Sequence, residues 1–255
     1  MLRYVLEQTR MTMTEREVSV VTAHGHMATH ICLPQSPARL PAVIVFMDAP
    51  GIREELLDIA RRIARAGYYC AVPDLYYRLG RIRLDLTRRT EAHAEVYRAL
   101  RASLVNALVA SDTANLLSYL AAQPEVSEGA TGCVGFSVGG RFAVQAAGLF
   151  PAHVAAVATV CGTEIVTDQD DSPHRTLNRA RAQLLFEFAE NDPQVPPHVV
   201  PALRTALGGA EQRYRINVEP GTAHGYNFPM RPMYDAVAAE NSWRRILGLF
   251  DQALH

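Results

Sequence analysis

The chain has 255 residues, 25 basic and 26 acidic side chains and a formal net charge of −1; 49% of its residues are hydrophobic and 20% charged. That size and balance suit one α/β domain spanning 1–255 with a real core, and near-neutrality argues against a broad electrostatic nucleic-acid binder. Every basic residue is arginine, which excludes a phosphate-loop lysine, a lysine Schiff base and a kinase-type lysine.

Cys32, Cys70, Cys133 and Cys161 stand singly in or beside apolar stretches, with no CxxC pair. They read as reduced core thiols in a cytoplasmic protein. The opening stretch MLRYVLEQTRMTMTERE lacks the continuous apolar core of a secretory signal. Residues 1–14 read as a loose N-terminal extension. No apolar run approaches the roughly 18 residues a membrane span needs.

In chain order, Glu17–Ala23 and Met27–Leu33 alternate and meet at His24-Gly25, a hairpin pattern. Ala42–Met47 (AVIVFM) is apolar throughout, as a strand buried on both faces would be. Glu54–Ala66 places Leu56, Ile59, Ala60 and Ile63 on one helical face, and Gly67 stops it. Tyr68–Val72 is a strand closed by Pro73. Arg88–Leu120 reads as one or two helices, and 78–110 as a lid or helical insertion. Strands follow at Thr131–Phe136, Val154–Val160, Gln183–Phe188 and Tyr214–Val218. Helices fit Val138–Leu149, Val199–Leu207 and Tyr234–Leu249. Alternation of this kind predicts a mostly parallel central sheet flanked by helices on both faces, with ligands at the carboxyl ends of the strands.

Three positions just after strands carry chemistry. Gly135-Phe-Ser-Val-Gly139 lies between a strand and a helix, which is the G-x-S-x-G nucleophile elbow. Glycines two before and two after Ser137 let strand and helix pass closely. The helix N-terminus behind the serine can hold an oxyanion. Asp192 follows the strand ending near Phe188, with Glu190 as a competing acid, and His224 follows the last predicted strand. The order Ser137, Asp192, His224 is that of the α/β-hydrolase triads.

Several other groupings carry less. His24, His26 and His30 could share one strand face around a metal, but hairpin side chains in solvent explain them, and no metal is expected. Seven arginines between Arg78 and Arg101 could attract acidic substrates or coat a helix. Glu164, Asp168, Asp170 and Asp171 read as a solvated loop. Cys161 follows a strand but has no elbow glycines, so it reads as a buried thiol. Tyr76, Tyr77, Phe136, Tyr226 and Phe228 flank the catalytic loops and are candidates for an apolar pocket.

From about Pro41 to the C-terminus the chain resembles the dienelactone hydrolases. The matching stretches are Phe46-Met-Asp-Ala-Pro-Gly51, Gly67-Tyr-Tyr-Cys-Ala-Val-Pro-Asp-Leu-Tyr-Tyr-Arg78, Val134-Gly-Phe-Ser-Val-Gly-Gly140, Asn191-Asp-Pro-Gln-Val-Pro196 and Ala223-His-Gly-Tyr226. The resemblance implies the α/β-hydrolase fold and a hydrolase of small esters or lactones. Ser137 stands where the founding members have a cysteine nucleophile, and Asp48 where they have a glutamate. The family grips a substrate carboxylate with arginines; Arg78 matches one of them. Phe228 occupies the place of the second, with Arg231 three residues beyond.

The expected reaction is acyl transfer from an ester or lactone to Ser137, with His224 as base, Asp192 orienting it, and the N–H groups of Val138 and Ala49 as oxyanion hole. Asp48, Tyr76, Arg78, Phe136, Tyr226, Phe228 and Arg231 are the candidates for substrate contact. No cofactor, nucleic acid or membrane is expected as partner, and a homodimer is left open. Two other readings use the same residues: an acyltransferase on the same triad, and a non-catalytic homologue that binds a ligand. Peptidases of this scaffold usually carry a further large domain.

Overall fold

A computed structural model describes residues 12–84, 90–209 and 213–255. Its strands are β1 (Met13–Thr22), β2 (Gly25–Pro34), β3 (Ala42–Phe46), β4 (Tyr69–Pro73), β5 (Thr131–Phe136), β6 (Val154–Val160), β7 (Gln183–Asn191) and β8 (Tyr214–Ala223). They form one sheet in the order β1-β2-β4-β3-β5-β6-β7-β8. β1–β2 and β2–β4 pair antiparallel, and every pair from β4–β3 to β7–β8 is parallel.

The buried strands owe their position to composition. Each residue of β3, β4 and β5 is buried, so their continuous apolar runs have no solvent side to mark with polar residues. The hairpin turns at Ala23-His24, with Thr22 opposite Gly25. β1 begins at Met13 and pairs it with Pro34, so residues 13 and 14 belong to the sheet rather than to a loose extension. Residues 1–11 lie outside the described residues.

The helices are α1 (Glu54–Arg65), α2 (Glu91–Ser103), α3 (Asn106–Ala121), α4 (Gly139–Leu149), α5 (Val199–Ala206) and α6 (Ala236–Leu254). α1 buries Leu56, Ile59, Ala60, Ile63 and Ala64 against β2 and β4. Its first turn carries Glu54 and Glu55 and its last Arg62 and Arg65, which suits the helix dipole. α6 packs on β5, β6 and β7 and meets α1 through Arg62, which donates to Glu240 at 2.5 and 2.7 Å. α3 and α4 pack together over the other face.

The predicted stretch Arg88–Leu120 resolves into two helices broken at Leu104-Val105; Arg88 and Arg89 lie outside the described residues. α2 is capped by Thr90, which accepts from His93 N–H, and buries only Leu100. α3 is a core helix, with Val109, Leu116, Leu117 and Leu120 buried. β7 and β8 run past their predicted ends to Asn191 and Ala223. Their last residues include Glu190, Asn191, Pro220 and Gly221, which local composition assigns to loops; the pairing is irregular there, with Gly221 at φ 72°, and resumes where Asn191 pairs with Ala223.

Candidate active site

The site begins at the end of β5. Ser137 has φ 50°, the left-handed region, which costs a non-glycine residue about 1–3 kcal/mol unless its surroundings impose it. Here they do. Ser137 N–H donates to Val160 O at 3.0 Å, and Ser137 O accepts from Thr163 N–H at 3.0 Å. The turn needs its flanking glycines. A Cβ on Gly135 would lie 2.2 Å from Gly139 O, and one on Gly139 would lie 2.3 Å from Phe46 O. β5 and α4 therefore approach closely enough to lift the serine above the sheet.

Two further strand ends supply the partners. His224, just beyond β8, sits with Nε2 2.9 Å from Ser137 Oγ. Its Nδ1 lies 2.7 Å from Asp192 Oδ2. Asp192 follows β7; its other oxygen accepts from Gln194 N–H at 2.9 Å. The Asp192 side chain is 1% exposed and that of His224 17%, so the acid is sealed while the imidazole faces a cavity. Glu190, the competing acid, accepts from Gly221 N–H instead and takes no part.

That cavity measures about 470 Å³, a size suited to a small ligand. Ser137, His224, Asp48, Ala49, Phe228 and Arg231 line it. Asp48 is buried, and Arg53 clamps it with two bonds of 2.5 and 3.1 Å. Burial alone would lower the Arg53 pKa, but Asp48 and Glu55 raise it overall. Arg231 lies 3.5 Å from Asp48, and the Arg53 guanidinium sits 4.8 Å from the Phe228 ring centroid. Neither Val138 nor Ala49 donates its N–H to an acceptor among the described residues, which leaves both free for a ligand oxygen.

Other sequence candidates lie elsewhere. Arg78 donates to the buried Asp112 at 2.7 Å and does not line the cavity. Tyr77 donates to the same carboxylate at 2.8 Å. Tyr76 is buried behind the cavity wall and donates to Ala49 O at 2.9 Å, fixing the loop that carries Ala49. Phe136 and Tyr226 are core. Phe136 packs between Phe228 and Trp243, and Tyr226 lies 2.6 Å from Ser242 Oγ. Next to a catalytic loop is thus not the same as facing the cavity. A side chain one position along points into the sheet.

Several residues enter that local patterns do not flag. Arg53 is one. Tyr97 of α2, Asn227 and Met233, which line the cavity, are others; Arg101, the last of the arginine run singled out in sequence, lines it too. Arg101 donates to Glu164 at 2.6 Å, and Glu164 also accepts from Arg141. Glu164 is therefore an ion-pair partner beside the site rather than a solvated loop acid. Burial lowers the Arg141 pKa even with Glu164 beside it. Cys161, Asp192 and His224 bring their donor atoms within 4.8 Å of one another. Asp192 and His224 already bond each other, and burial pushes the Cys161 thiol up to about 12, so this set is poorly disposed to hold a metal ion.

Comparison with known proteins agrees with this fold. A profile of the dienelactone hydrolase family matches residues 27–254. An Escherichia coli K12 protein described as a candidate carboxymethylenebutenolidase is 31% identical over 229 residues, covering 88% of this chain and 82% of its own. A Bradyrhizobium protein described as a candidate 2-oxo-3-(5-oxofuran-2-ylidene)propanoate lactonase is 25% identical over 233 residues, covering 90% and 91%. The crystal structure of a candidate dienelactone hydrolase from Klebsiella pneumoniae superposes with a TM-score of 0.83 at 26% identity, covering 94% of this chain and 99% of that one.

Proposed function

The chain belongs to the dienelactone hydrolase family, an α/β-hydrolase fold, and we propose that it is a serine hydrolase of small carboxylic esters or lactones. The observation that carries this reading is the relay of two short contacts, 2.9 Å from Ser137 Oγ to His224 Nε2 and 2.7 Å from His224 Nδ1 to Asp192. His224 donates Nδ1–H to Asp192 and accepts the serine proton at Nε2. Ser137 Oγ attacks the carbonyl carbon and forms a tetrahedral intermediate. Its oxyanion is held by the N–H groups of Val138 and Ala49, with α4 behind them. The imidazolium, stabilised by Asp192, returns the proton to the leaving alkoxide. Water, with His224 again as base, then releases the acid from the acyl-enzyme.

The substrate class follows from the charges at the cavity. Arg53 and Arg231 stand beside Asp48, and Arg101 pairs with Glu164. Each of these cations already has a carboxylate within ion-pairing distance, which favours neutral esters and lactones. The buried cysteines, all unbridged, support a reducing, cytoplasmic setting. No described helix is long and apolar enough to cross a membrane.

The test is intact-mass labelling with a fluorophosphonate, alongside a panel of nitrophenyl esters and lactones. One adduct is expected on the wild type and none on Ser137→Ala, whose kcat should fall by about 10⁴ to 10⁶. Substantial turnover by Ser137→Ala would overturn the assignment.

A further inference from the structure

The first turn of α1 carries two adjacent acids with different surroundings. Glu54 is exposed and pairs with Arg61. Glu55 is buried, and both of its oxygens are engaged. Oε2 accepts from Arg53 Nε at 3.0 Å and from Arg53 Nη2 at 2.7 Å. Oε1 accepts from the Met230 N–H at 2.8 Å. The helix dipole favours a carboxylate at either position, and an exposed one is enough for that. Burying a charge costs desolvation that an ion pair seldom returns as net stability. The burial of Glu55 therefore asks for a different reason, and its partners supply one.

Those partners belong to the two loops that face each other across Ser137. Arg53 bonds both oxygens of Asp48 and the Gly51 carbonyl, so it holds the loop that carries the Ala49 N–H. Met230 lies in a run of tight turns that starts at the histidine. Tyr226 N–H donates to Ala223 O at 3.1 Å, Phe228 N–H to Gly225 O at 3.0 Å and Arg231 N–H to Phe228 O at 3.0 Å. The Arg53 guanidinium also stands 4.8 Å from the Phe228 ring centroid. Arg231 reaches Asp48 from the same run, but at 3.5 Å, beyond the usual hydrogen-bond range. The pair Arg53–Glu55 thus bridges the loop 48–53 and the loop 224–231.

We propose that Glu55 is a positioning residue that sets the histidine loop against the oxyanion loop, so that His224 Nε2 and the Ala49 N–H meet one carbonyl group together. Its catalytic consequence rests on the serine-hydrolase reading. Glu55 does not line the Ser137 cavity. It acts through the Met230 N–H on one side and through Arg53 on the other. Base and oxyanion donor must be aimed at the same group before charge develops, and small misplacements are costly.

The test compares Glu55→Ala, Glu55→Gln and Glu54→Gln in the full chain. Alanine gives up both contacts. Glutamine keeps a carbonyl for the Met230 N–H and gives up the charge beside Arg53. Arg53 keeps Asp48 in each variant, so no buried cation is stranded. Hydrogen exchange is read by mass spectrometry in peptides covering 48–53 and 225–231, with α3 as reference. In Glu55→Ala it should quicken at least about ten-fold in both loops and stay unchanged in α3. Glu55→Gln should keep most of the protection at 225–231. On a nitrophenyl ester, kcat of Glu55→Ala should fall at least about ten-fold with KM within about two-fold. Glutamine should recover most of that loss, and Glu54→Gln should behave as the wild type does. Unchanged exchange in the loops of Glu55→Ala, or an equal rise in α3, would overturn the bridge. An unchanged kcat would overturn the positioning role, and equal losses in the alanine and glutamine variants would overturn the part given to Met230. Exchange needs no substrate, whereas a wild type with no fluorophosphonate adduct would count against the hydrolase reading alone, so the two can fail separately.

Discussion

Replacing Arg78 with Met separates a substrate-gripping arginine from a structural one. The Arg78 side chain is 19% exposed and Asp112 only 1%. Arg78 and the Tyr77 hydroxyl both bond Asp112 Oδ1, while Oδ2 has no partner among the described residues. Removing the guanidinium leaves a sealed carboxylate with one hydroxyl. Breaking a buried pair from one side costs about 3–5 kcal/mol. At about 2–4 °C per kcal/mol for a chain of this size, the melting temperature should fall by about 6–20 °C. Asp112→Asn on the Arg78→Met background removes the stranded charge and keeps an acceptor for Tyr77, so it should recover much of the loss. The assay pairs thermal melting by circular dichroism with kcat/KM on a neutral ester and its carboxylate-bearing analogue. Both esters should change by the same factor. An unchanged melt with a selective loss on the anionic ester would refute the reasoning, because Arg78 would then be holding substrate.

Three further outcomes follow from distances at other points. Gly139→Ala should abolish ester turnover or soluble folding, since its Cβ would lie 2.3 Å from Phe46 O; Gly248→Ala, in α6 with nothing within 4 Å of the new carbon, should instead raise the melting temperature by about 2–4 °C. Cys161 should resist iodoacetamide at pH 8 in the native protein and react once unfolded, as intact mass would show, because burial lifts its thiol from 9.0 to about 12. A folded-state pKa raised in this way supports the fold below about pH 9 and loses that support as pH climbs toward 12, so urea midpoints should decline across that window. Arg53→Met takes from Glu55 its cation and leaves Asp48 only Arg231, at 3.5 Å; stability should fall by about 3–5 kcal/mol, and fluorophosphonate labelling should slow because Asp48 adjoins Ala49.

The parts of the site readable in sequence are those fixed by local rules. Ser137 is announced by the glycines at 135 and 139, whose missing Cβ atoms the turn requires. Asp192 follows an apolar strand and His224 an alternating one, and their order along the chain limits how they can meet. The central strands were readable for a similar reason, since a run such as Ala42–Phe46 leaves no solvent face. What local pattern could not give is which way a side chain points. Tyr76, Phe136 and Tyr226 adjoin the catalytic loops yet are buried in the core. Arg101 and Asn227 reach the cavity from α2 and from the loop after His224, and Arg53, at α1's entry, bonds Asp48 on its wall. Their place depends on how helices dock, which no spacing in the chain encodes. Glu164 looked like one acid of a solvated run, but Arg101 and Arg141 converge on it from two helices.

Asp48 stands where the resemblance puts a glutamate, and in the proposed reaction its work is to position. In the proposed reaction a serine hydroxyl needs a base at the moment of attack, whereas a thiol can ionise beforehand. Asp48 is badly placed to be that base, because both of its oxygens accept from Arg53. His224 Nε2, at 2.9 Å from Ser137 Oγ, is the acceptor in reach. The clamp has a second effect. Arg53 also bonds Gly51 O at 3.2 Å, and Tyr76 holds Ala49 O at 2.9 Å, so the loop 48–53 is tied down on both sides of Ala49. A backbone N–H stabilises an oxyanion only if it is aimed before charge develops. In the proposed reaction the short carboxylate at 48 therefore serves the serine by fixing the loop that carries Ala49, the proposed oxyanion donor, leaving proton transfer to the histidine.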